Sequence, residues 1–230
     1  MIRPIRFKDL FLSDLGWLRS RFHFSFAEYR NPNNLNFGVL RVMNDDLVDP
    51  HQGFGRHPHR DMEIVTYVIQ GGLTHQDSMG HRETLGPGDM QYMSAGTGVT
   101  HSEMNEGDQE SRFLQMWVLP GQKGVAPKYG SKRFEPEERH NRWLQLIGPG
   151  EGQVALAQDA NFYVTELDAG QALDFQLGEN RQVYLKLIEG QADLNGVEIG
   201  HGDAAEVLDE DLHLKTQPGA HILLVEMAKF

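Results

Sequence analysis

The sequence predicts an all-β protein made of two tandem jelly-roll barrels, and three observations support this fold class. Glycine is 25 of 230 residues, about 11% against a usual ~7%, with no low-complexity run, which favours many tight turns. Short runs rich in β-branched and aromatic residues recur along the chain, while almost nothing has the period of a long amphipathic helix. A weak internal repeat also relates the two halves.

Composition and charge exclude several classes of protein. The chain has no cysteine, which rules out disulfides, thiolate metal sites and cysteine nucleophiles. Its 33 acidic and 21 basic residues give a formal charge of −12, so we expect no direct nucleic-acid partner. No run approaches the roughly 18 apolar residues of a membrane helix, and the first residues lack the apolar stretch of a secretion signal. We therefore expect a cytoplasmic protein without membrane contact.

Five strands are predicted in the N-terminal half. Alternation of aromatic and polar residues predicts a strand at 22–26, and β-rich runs predict others at 37–43, 62–69, 90–93 and 113–119. Asn44-Asp45-Asp46 has the composition of a turn and is expected to end the second strand.

The chain changes character at residues 121–142, which are polar and charged and contain two prolines. We interpret them as a connection in which 135–142 forms one or two helical turns. Short strands then resume at 143–147, 154–156, 162–167, 183–188, 191–194, 204–207 and 221–227. The predicted organisation is a barrel at 1–120, a connection at 121–142 and a second barrel at 143–230.

The internal repeat is short. In the first half, the strand ending at Gly71 leads through a turn to Gly88-Asp89. In the second half, the strand ending at Gly190 leads through a turn to Gly202-Asp203. Each half would be an antiparallel strand, a hairpin and a strand entered by a Gly-Asp turn.

The motifs His57-x-His59 and His101-x-Glu103 predict a metal site. On an extended backbone, residues i and i+2 point to the same face, so the two side chains of each motif share a face. Each motif would lie on a strand of its own. If those two strands are neighbours across a barrel, three nitrogen ligands and one oxygen ligand converge. This set suits iron(II), manganese, nickel, cobalt, copper or zinc.

Glu63 follows His59 by four positions and has the same strand parity, so it could reach the same cavity. It would then be a rival ligand, or an acceptor that fixes the tautomer of a ligand histidine, which is the role we favour. Otherwise it is a partly buried carboxylate on the barrel wall. Histidines in polar stretches are expected at the surface: His51, His75, His81 and His140.

Other chemistries have less support. The glycine-rich stretches do not form a phosphate-binding loop, and no Gly-x-Ser-x-Gly motif of a serine nucleophile occurs. A sugar-phosphate isomerase would need a cationic clamp. Arg56 and Arg60, the cations beside the predicted ligands, alternate out of phase with the histidines and are expected to point away.

Longer motifs resemble the pirin family. His57-x-His59-x-x-x-Glu63 looks like the first cupin motif, and Gly98-x-x-His101-x-x-x-Asn105 looks like the end of the second. The stretches 24–29, 40–46, 57–67 and 93–103 are especially similar to short bacterial pirin-like proteins regarded as quercetin 2,3-dioxygenases. The resemblance implies a bicupin, that is, two tandem double-stranded β-helix barrels, with metal only in the N-terminal one.

The resemblance also implies a ligand set and an activity. The family pattern of three histidines and one glutamate falls on His57, His59, His101 and Glu103, which favours Glu103 over Glu63 as the carboxylate ligand. We expect iron(II), with zinc, nickel, cobalt, manganese or copper as alternatives. The implied enzyme uses O2 to open the heterocyclic ring of a flavonol such as quercetin and releases carbon monoxide. Either Glu103 or Glu63 would take the proton of the flavonol 3-hydroxyl.

The alternative function is regulatory. Eukaryotic pirins resemble this chain and are linked to transcription complexes. The second hypothesis is therefore a metal-containing module that binds a transcription factor or a metabolic enzyme. The two functions differ in whether the metal is occluded and in whether O2 uptake depends on a flavonol.

Overall fold

The structure, a computed structural model, describes residues 1–149 and 154–229. Apart from two single-turn 3-10 helices, Phe7–Asp9 and Pro136–Glu138, its regular elements are strands, which confirms the all-β class. In chain order, β1 to β19 are Ile2–Ile5, Phe11–Asp14, Leu18–Phe22, Leu40–Val48, Gly53–His59, Glu63–Gln70, Leu73–Asp77, Arg82–Leu85, Met90–Ser94, Val99–Met104, Ser111–Val118, Lys128–Lys132, Leu144–Ile147, Ala160–Leu167, Ala172–Phe175, Arg181–Leu194, Val197–Gly200, Ala204–Leu208 and Leu212–Ala228.

The chain divides into two compact units. The N-terminal unit comprises Phe11–Phe134 with the described residues 154–158, and the C-terminal unit comprises Met1–Leu10, Glu135–Pro149 and Asp159 onward. These units differ from the predicted division at both ends of the predicted connection and at the start of the chain, and residues 154–158, predicted in the second barrel, belong to the N-terminal unit. β1 pairs with β18, so the first ten residues belong to the C-terminal unit, and β12 pairs with β9, so Lys128–Lys132 belongs to the N-terminal one.

Two antiparallel sheets form the N-terminal unit. One has the order β12-β9-β6-β11-β4-β3-β2 and the other β5-β10-β7-β8. Leu18 and Phe113 of the first sheet pack with Leu73 and Leu85 of the second in one buried cluster. Burying each such side chain stabilises the fold by ~1.5–3 kcal/mol, and the shared cluster holds the two sheets together as a sandwich.

The predictions for the first two strands were wrong in detail. The strand predicted at 22–26 is β3, Leu18–Phe22, and the predicted turn at Asn44-Asp45-Asp46 lies inside β4. The Asp45 carboxylate accepts hydrogen bonds of 2.9 Å from Nε and Nη2 of Arg112 on β11, and the Ser20 hydroxyl on β3 donates to Asp46. The Arg112 guanidinium offsets the cost of burying Asp45, whereas Asp46 has a neutral hydroxyl as its partner. Local composition cannot reveal either cross-strand contact.

The C-terminal unit is one eight-stranded sheet built on the long strands β16 and β19. β16 merges the strands predicted at 183–188 and 191–194, and its pairing with β19 shifts register at Leu187/Glu189 and at Gly190/Ala192. Such bulges bend a strand. Residues 154–156 form no strand, and the segment 135–142 holds only the short helix Pro136–Glu138.

The internal repeat has a structural counterpart in both units. The Gly88 and Asp89 backbone bonds to Val68 are matched by those of Gly202 and Asp203 to Leu187, all at 2.8–3.1 Å. Asp89 Oδ2 accepts a bond from the Gly86 amide at 2.9 Å, and Asp203 Oδ2 accepts the equivalent one from Gly200 at 3.1 Å. The Gly-Asp pair thus closes the same turn onto the same kind of strand twice.

Two glycines with nearly equal backbone angles test the packing of the N-terminal unit. Gly71 (φ +72°) would place a Cβ 2.6 Å from the Glu110 carbonyl oxygen, whereas Gly124 (φ +68°) has open space around it. Gly124→Ala should therefore cost only the left-handed backbone penalty of roughly 1 kcal/mol. Gly71→Ala should cost at least about twice as much, measured by urea unfolding. Equal losses would contradict this packing.

Candidate metal centre

Three predicted ligands meet where β5 and β10 pair. The strands are antiparallel, with His57 opposite His101, and His59 lies two residues beyond His57. The ring centroids are 4.5 Å apart for His57 and His101, and 4.8 Å apart for each of the other two pairs. One ligand nitrogen of each ring lies within 4.8 Å of the others, so the three imidazoles can share one ion.

The protonation of these rings suits metal binding. Burial, reinforced by neighbouring imidazoles, lowers the pKa of His101 to about 2, and burial with the adjacent His57 lowers the pKa of His59 to about 4. Both rings are therefore neutral near pH 7 and keep a lone pair.

The hydrogen bonds of the ring nitrogens point the same way. His57 Nδ1 lies 2.7 Å from the Gly55 carbonyl oxygen and donates to it, which leaves Nε2 as the ligand atom. Within the described residues, buried His101 Nε2 has no hydrogen-bond partner. A buried nitrogen without a partner is costly, and a divalent transition metal among the three rings would satisfy it. The residues present therefore fit such an ion.

Glu103 lies on the same strand but is held differently. Its carboxylate accepts hydrogen bonds from the side-chain amides of Gln91 and Gln115, the latter at 2.6 Å. Burial raises its pKa to about 7, although these bonds act in the opposite direction. Its ligand oxygen groups with His101 and the unexpected His75, within 4.8 Å, rather than with His57 and His59.

The fourth position is displaced because the pairing of β5 and β10 is irregular between His101 and Glu103. His101 lies opposite His57, but Glu103 lies opposite Phe54, so β5 contains one extra residue. Such a bulge re-aims side chains. The structure brings Glu103 into the same cavity as the histidines but nearer to His101 than to the His57-x-His59 motif.

Glu63 lies outside this cavity. Its carboxylate accepts hydrogen bonds from the Tyr92 hydroxyl at 2.8 Å and from the backbone amides of Ala157 and Gln158 at 2.9 and 3.1 Å. The strand parity that related it to His59 does not continue between β5 and β6, since Asp61 has φ +47° in the intervening turn. Glu63 fastens residues 157 and 158 to β6 and contacts none of the predicted ligands by hydrogen bonding.

The prediction that His75 lies at the surface was wrong. His75 is fully buried on β7, with its ring stacked on Tyr129 at a centroid distance of 4.2 Å and its Nδ1 3.5 Å from Nδ1 of His101. Burial lowers its pKa. Its burial follows from the position of β7, which pairs with β10 on the side away from β5. The polar residues around His75 in the sequence do not show this pairing.

A cavity of about 270 Å³ adjoins the histidines. This volume is just below the range of about 300–1,000 Å³ that is usual for small-molecule sites. Its walls are largely aliphatic and aromatic, and His57 and His59 are partly exposed in it, so a ligand in the cavity could reach the metal-binding atoms. The lining consists of Ser13, Leu15, Leu18, Phe22, Phe26, Ala27, Glu28, Asn44, Asp46, Phe54, His57, His59, Ile64, His101, Glu103, Gln115 and Trp117.

The polar side chains of the cavity are acidic or neutral apart from the histidines. Glu28, Asp46 and Glu103 line it, and no lysine or arginine among the described residues does. Arg60 instead lines a neighbouring, more open depression with Ser78 and Thr100, and His59 lines both spaces. This lining favours a neutral, hydrogen-bond-donating ligand over a phosphorylated one.

Comparison with known sequences agrees with the motif resemblance. Residues 6–118 match the family model Pirin, and residues 134–227 match the model of the quercetinase C-terminal cupin domain. A pirin-like protein of Caulobacter vibrioides is 39% identical over 232 residues, 99% of this chain and 100% of that one. A quercetin 2,3-dioxygenase of Escherichia coli K12 is 37% identical over 214 residues, 92% of each chain.

Comparison with solved structures confirms the predicted bicupin fold. The bacterial pirin YhhW of Escherichia coli in complex with nickel(II) has a TM-score of 0.93 and 34% identity, with all of both chains covered.

Across the described part of this chain, no helix has the length and apolar character needed to cross a bilayer.

The three-histidine cluster predicts one ion per chain. Replacing His101 with alanine removes the buried nitrogen at its centre, so the affinity for nickel(II) should fall by at least about 100-fold in a calorimetric titration. His51→Ala is the matched control, because His51 is exposed and pairs with Asp108 outside the cavity. Unchanged nickel affinity in the His101 variant would contradict the assignment.

Asp46 predicts a pH dependence of stability. Burial raises its pKa from 3.8 to about 7, so its proton is retained more strongly in the folded state than in the unfolded state. The associated stability is complete below about pH 4 and is lost as the pH rises through 7. In metal-free protein, the free energy of unfolding should therefore fall between pH 4 and 8 by on the order of 2–4 kcal/mol more than in Asp46→Asn.

Urea unfolding at a series of pH values measures this difference. Asp108→Asn, at an exposed carboxylate, should follow the wild type. Parallel pH profiles for the wild type and Asp46→Asn would show that Asp46 does not hold its proton in the fold.

Proposed function

The chain belongs to the pirin family, and from this membership we propose that it is a metal-dependent dioxygenase that opens the heterocyclic ring of flavonols. Both atoms of O2 enter the products, a depside ester forms, and one ring carbon leaves as carbon monoxide. The names of its relatives supply the reaction class. The observation that carries the proposal is the opening of a three-histidine cluster onto an apolar cavity of about 270 Å³.

The cavity walls would bind and orient the substrate. Four aromatic residues line the cavity together with the histidines: Phe22, Phe26, Phe54 and Trp117. Aromatic surfaces of this kind bind a planar polyphenol and exclude water from the reacting atoms. The described part of the chain contributes no lysine or arginine to the lining, which suits a substrate that enters uncharged.

His57, His59 and His101 would hold the ion, with Glu103 as the proposed fourth ligand. When bound, a divalent metal supplies Lewis acidity that lowers the pKa of the flavonol 3-hydroxyl. Iron(II) is our preferred ion, and nickel(II) is the ion in the YhhW complex.

Glu103 is the proposed proton acceptor for that hydroxyl. Its carboxyl lines the cavity beside His101, so the hydroxyl of a substrate in the cavity could pass its proton to a carboxylate oxygen. The amides of Gln91 and Gln115 donate to it and hold it in place. Glu63 does not share this role, because its carboxylate is engaged by Tyr92 and two backbone amides away from the cavity.

The proposal is tested by reconstituting the protein anaerobically with iron(II) or nickel(II) and adding quercetin in an oxygen-electrode cell with carbon monoxide detection. We expect flavonol-dependent O2 uptake in proportion to bound metal. Glu103→Gln should lower kcat by about 100-fold or more, because the neutral amide cannot take the proton.

Glu106→Gln is the matched control. Glu106 lies three residues further along the chain, is half-exposed and pairs with Arg82, so turnover should be unchanged. If one metal binds per chain and no flavonol supports O2 uptake, the dioxygenase proposal fails. The regulatory reading, a metal-containing module that binds a transcription factor or an enzyme, would then replace it.

A further inference from the structure

His75 connects a buried carboxylate to the central histidine of the metal cluster. β7 and β10 pair with His101 opposite Asp77 and Glu103 opposite His75. His75 Nε2 lies 3.2 Å from Asp77 Oδ2, and His75 Nδ1 lies 3.5 Å from His101 Nδ1. The side chains of His75 and Asp77 are both fully buried, so water does not compete for these contacts.

Asp77 can only accept hydrogen bonds here. Besides His75, its carboxylate receives the backbone amides of Met79 and His81 at 2.8 and 3.1 Å, and it lies 2.9 Å from His81 Nδ1. The two amides donate to Oδ1 and the two imidazoles contact Oδ2. A carboxylate with this many hydrogen-bond partners is ionised and has no proton to give. The hydrogen in its contact with His75 therefore belongs to Nε2 of His75.

This assignment determines the hydrogens of the next contact. A neutral imidazole with its proton on Nε2 has an acceptor at Nδ1. The hydrogen between the two Nδ1 atoms then belongs to His101. With its single proton on Nδ1, His101 presents a lone pair at Nε2, the buried atom that has no hydrogen-bond partner within the described residues.

We propose that His75, oriented by Asp77, is a positioning residue that holds His101 in the Nδ1–H tautomer and so makes Nε2 of His101 the metal ligand. The stack of His75 on Tyr129, with ring planes 12° apart, holds the ring in this orientation. A histidine ligand commonly has its second nitrogen fixed by a carboxylate or a carbonyl. Here an imidazole stands between the carboxylate and the ligand.

The proposal rests on the metal site within the proposed function and not on flavonol chemistry. Its tests therefore measure nickel(II) binding and imidazole tautomers, and loss of dioxygenase activity would not decide them. An ion held instead by His75, His101 and Glu103, whose ligand atoms also lie within 4.8 Å of one another, is the competing arrangement.

The first measurement is the 15N NMR spectrum of the full, metal-free chain with labelled histidine. We expect the Nε2 signals of His101 and His57 in the unprotonated range, with His75 protonated at Nε2. A proton on Nε2 of His101 would overturn the proposal, whatever the variants do.

The second measurement is nickel(II) titration of paired variants. His75→Phe keeps a ring against Tyr129 but has no acceptor, so nickel affinity should fall about 10–100-fold. His75→Asn places an amide oxygen where Nδ1 stood and should recover most of that affinity. His81→Gln, at a partly exposed ring that also contacts Asp77, should bind nickel like the wild type.

The variant spectra separate positioning from simple packing. In His75→Phe the proton of His101 should move to Nε2, and in His75→Asn it should stay on Nδ1. Equal affinity losses in both variants with an unchanged His101 tautomer would show a purely structural role. A second nickel ion per chain that disappears in both variants would identify the competing site instead.

Discussion

The antiparallel pairing of β5 with β10 is the constraint on which the site depends. It places His57 directly opposite His101. His59, two residues further along β5 and on the same face as His57, then lies beside both rings. The pleat alone then aims three imidazoles at one point. The bulge between His101 and Glu103 breaks this regularity at the fourth residue. The Glu103 carboxylate accepts hydrogen bonds from side chains of β6, β9 and β11, and of the three histidines its ligand oxygen groups with His101.

Two carboxyl groups of the cavity, those of Glu103 and Asp46, are buried with no cationic partner among the described residues, and this raises their pKa values. Within residues 1–149 and 154–229, the hydrogen-bond partners of Glu103 and Asp46 are neutral amides and hydroxyls, and burial raises the pKa of both to about 7. Asp45, between Asn44 and Asp46 on β4, points to the opposite face and pairs with Arg112. One strand thus carries an ion pair on one face and a carboxyl with a raised pKa on the other, because strand alternation separates the two environments.

The sequence predicted the parts of the site that depend on local geometry. His57-x-His59 and His101-x-Glu103 could be assigned to faces from i, i+2 parity, and the Gly-Asp turns were recognisable in both halves. It could not predict contacts that depend on the pairing of distant strands. His75 looked exposed because its neighbours are polar, yet β7 turns it inward beside β10. Glu63 was expected to face the cavity because the alternation of side chains was counted on from His59. That alternation ends in the turn between β5 and β6, where Asp61 has a left-handed backbone conformation.

The Gly-Asp turn occurs in both units, and it requires fewer specific residues than the proposed metal site does. The Gly-Asp turn needs one glycine at positive φ and one carboxylate, and its hydrogen bonds are otherwise made by the backbone. The proposed metal site needs specific side chains on neighbouring strands, namely His57 and His59 on β5 and His101 on β10. Within the described residues, the possible ligand groups lie in the N-terminal unit, while Leu185, Leu187 and Leu224 of the other unit belong to an apolar core. A repeated scaffold can therefore retain its turns through few residues while its chemistry is set separately in each copy.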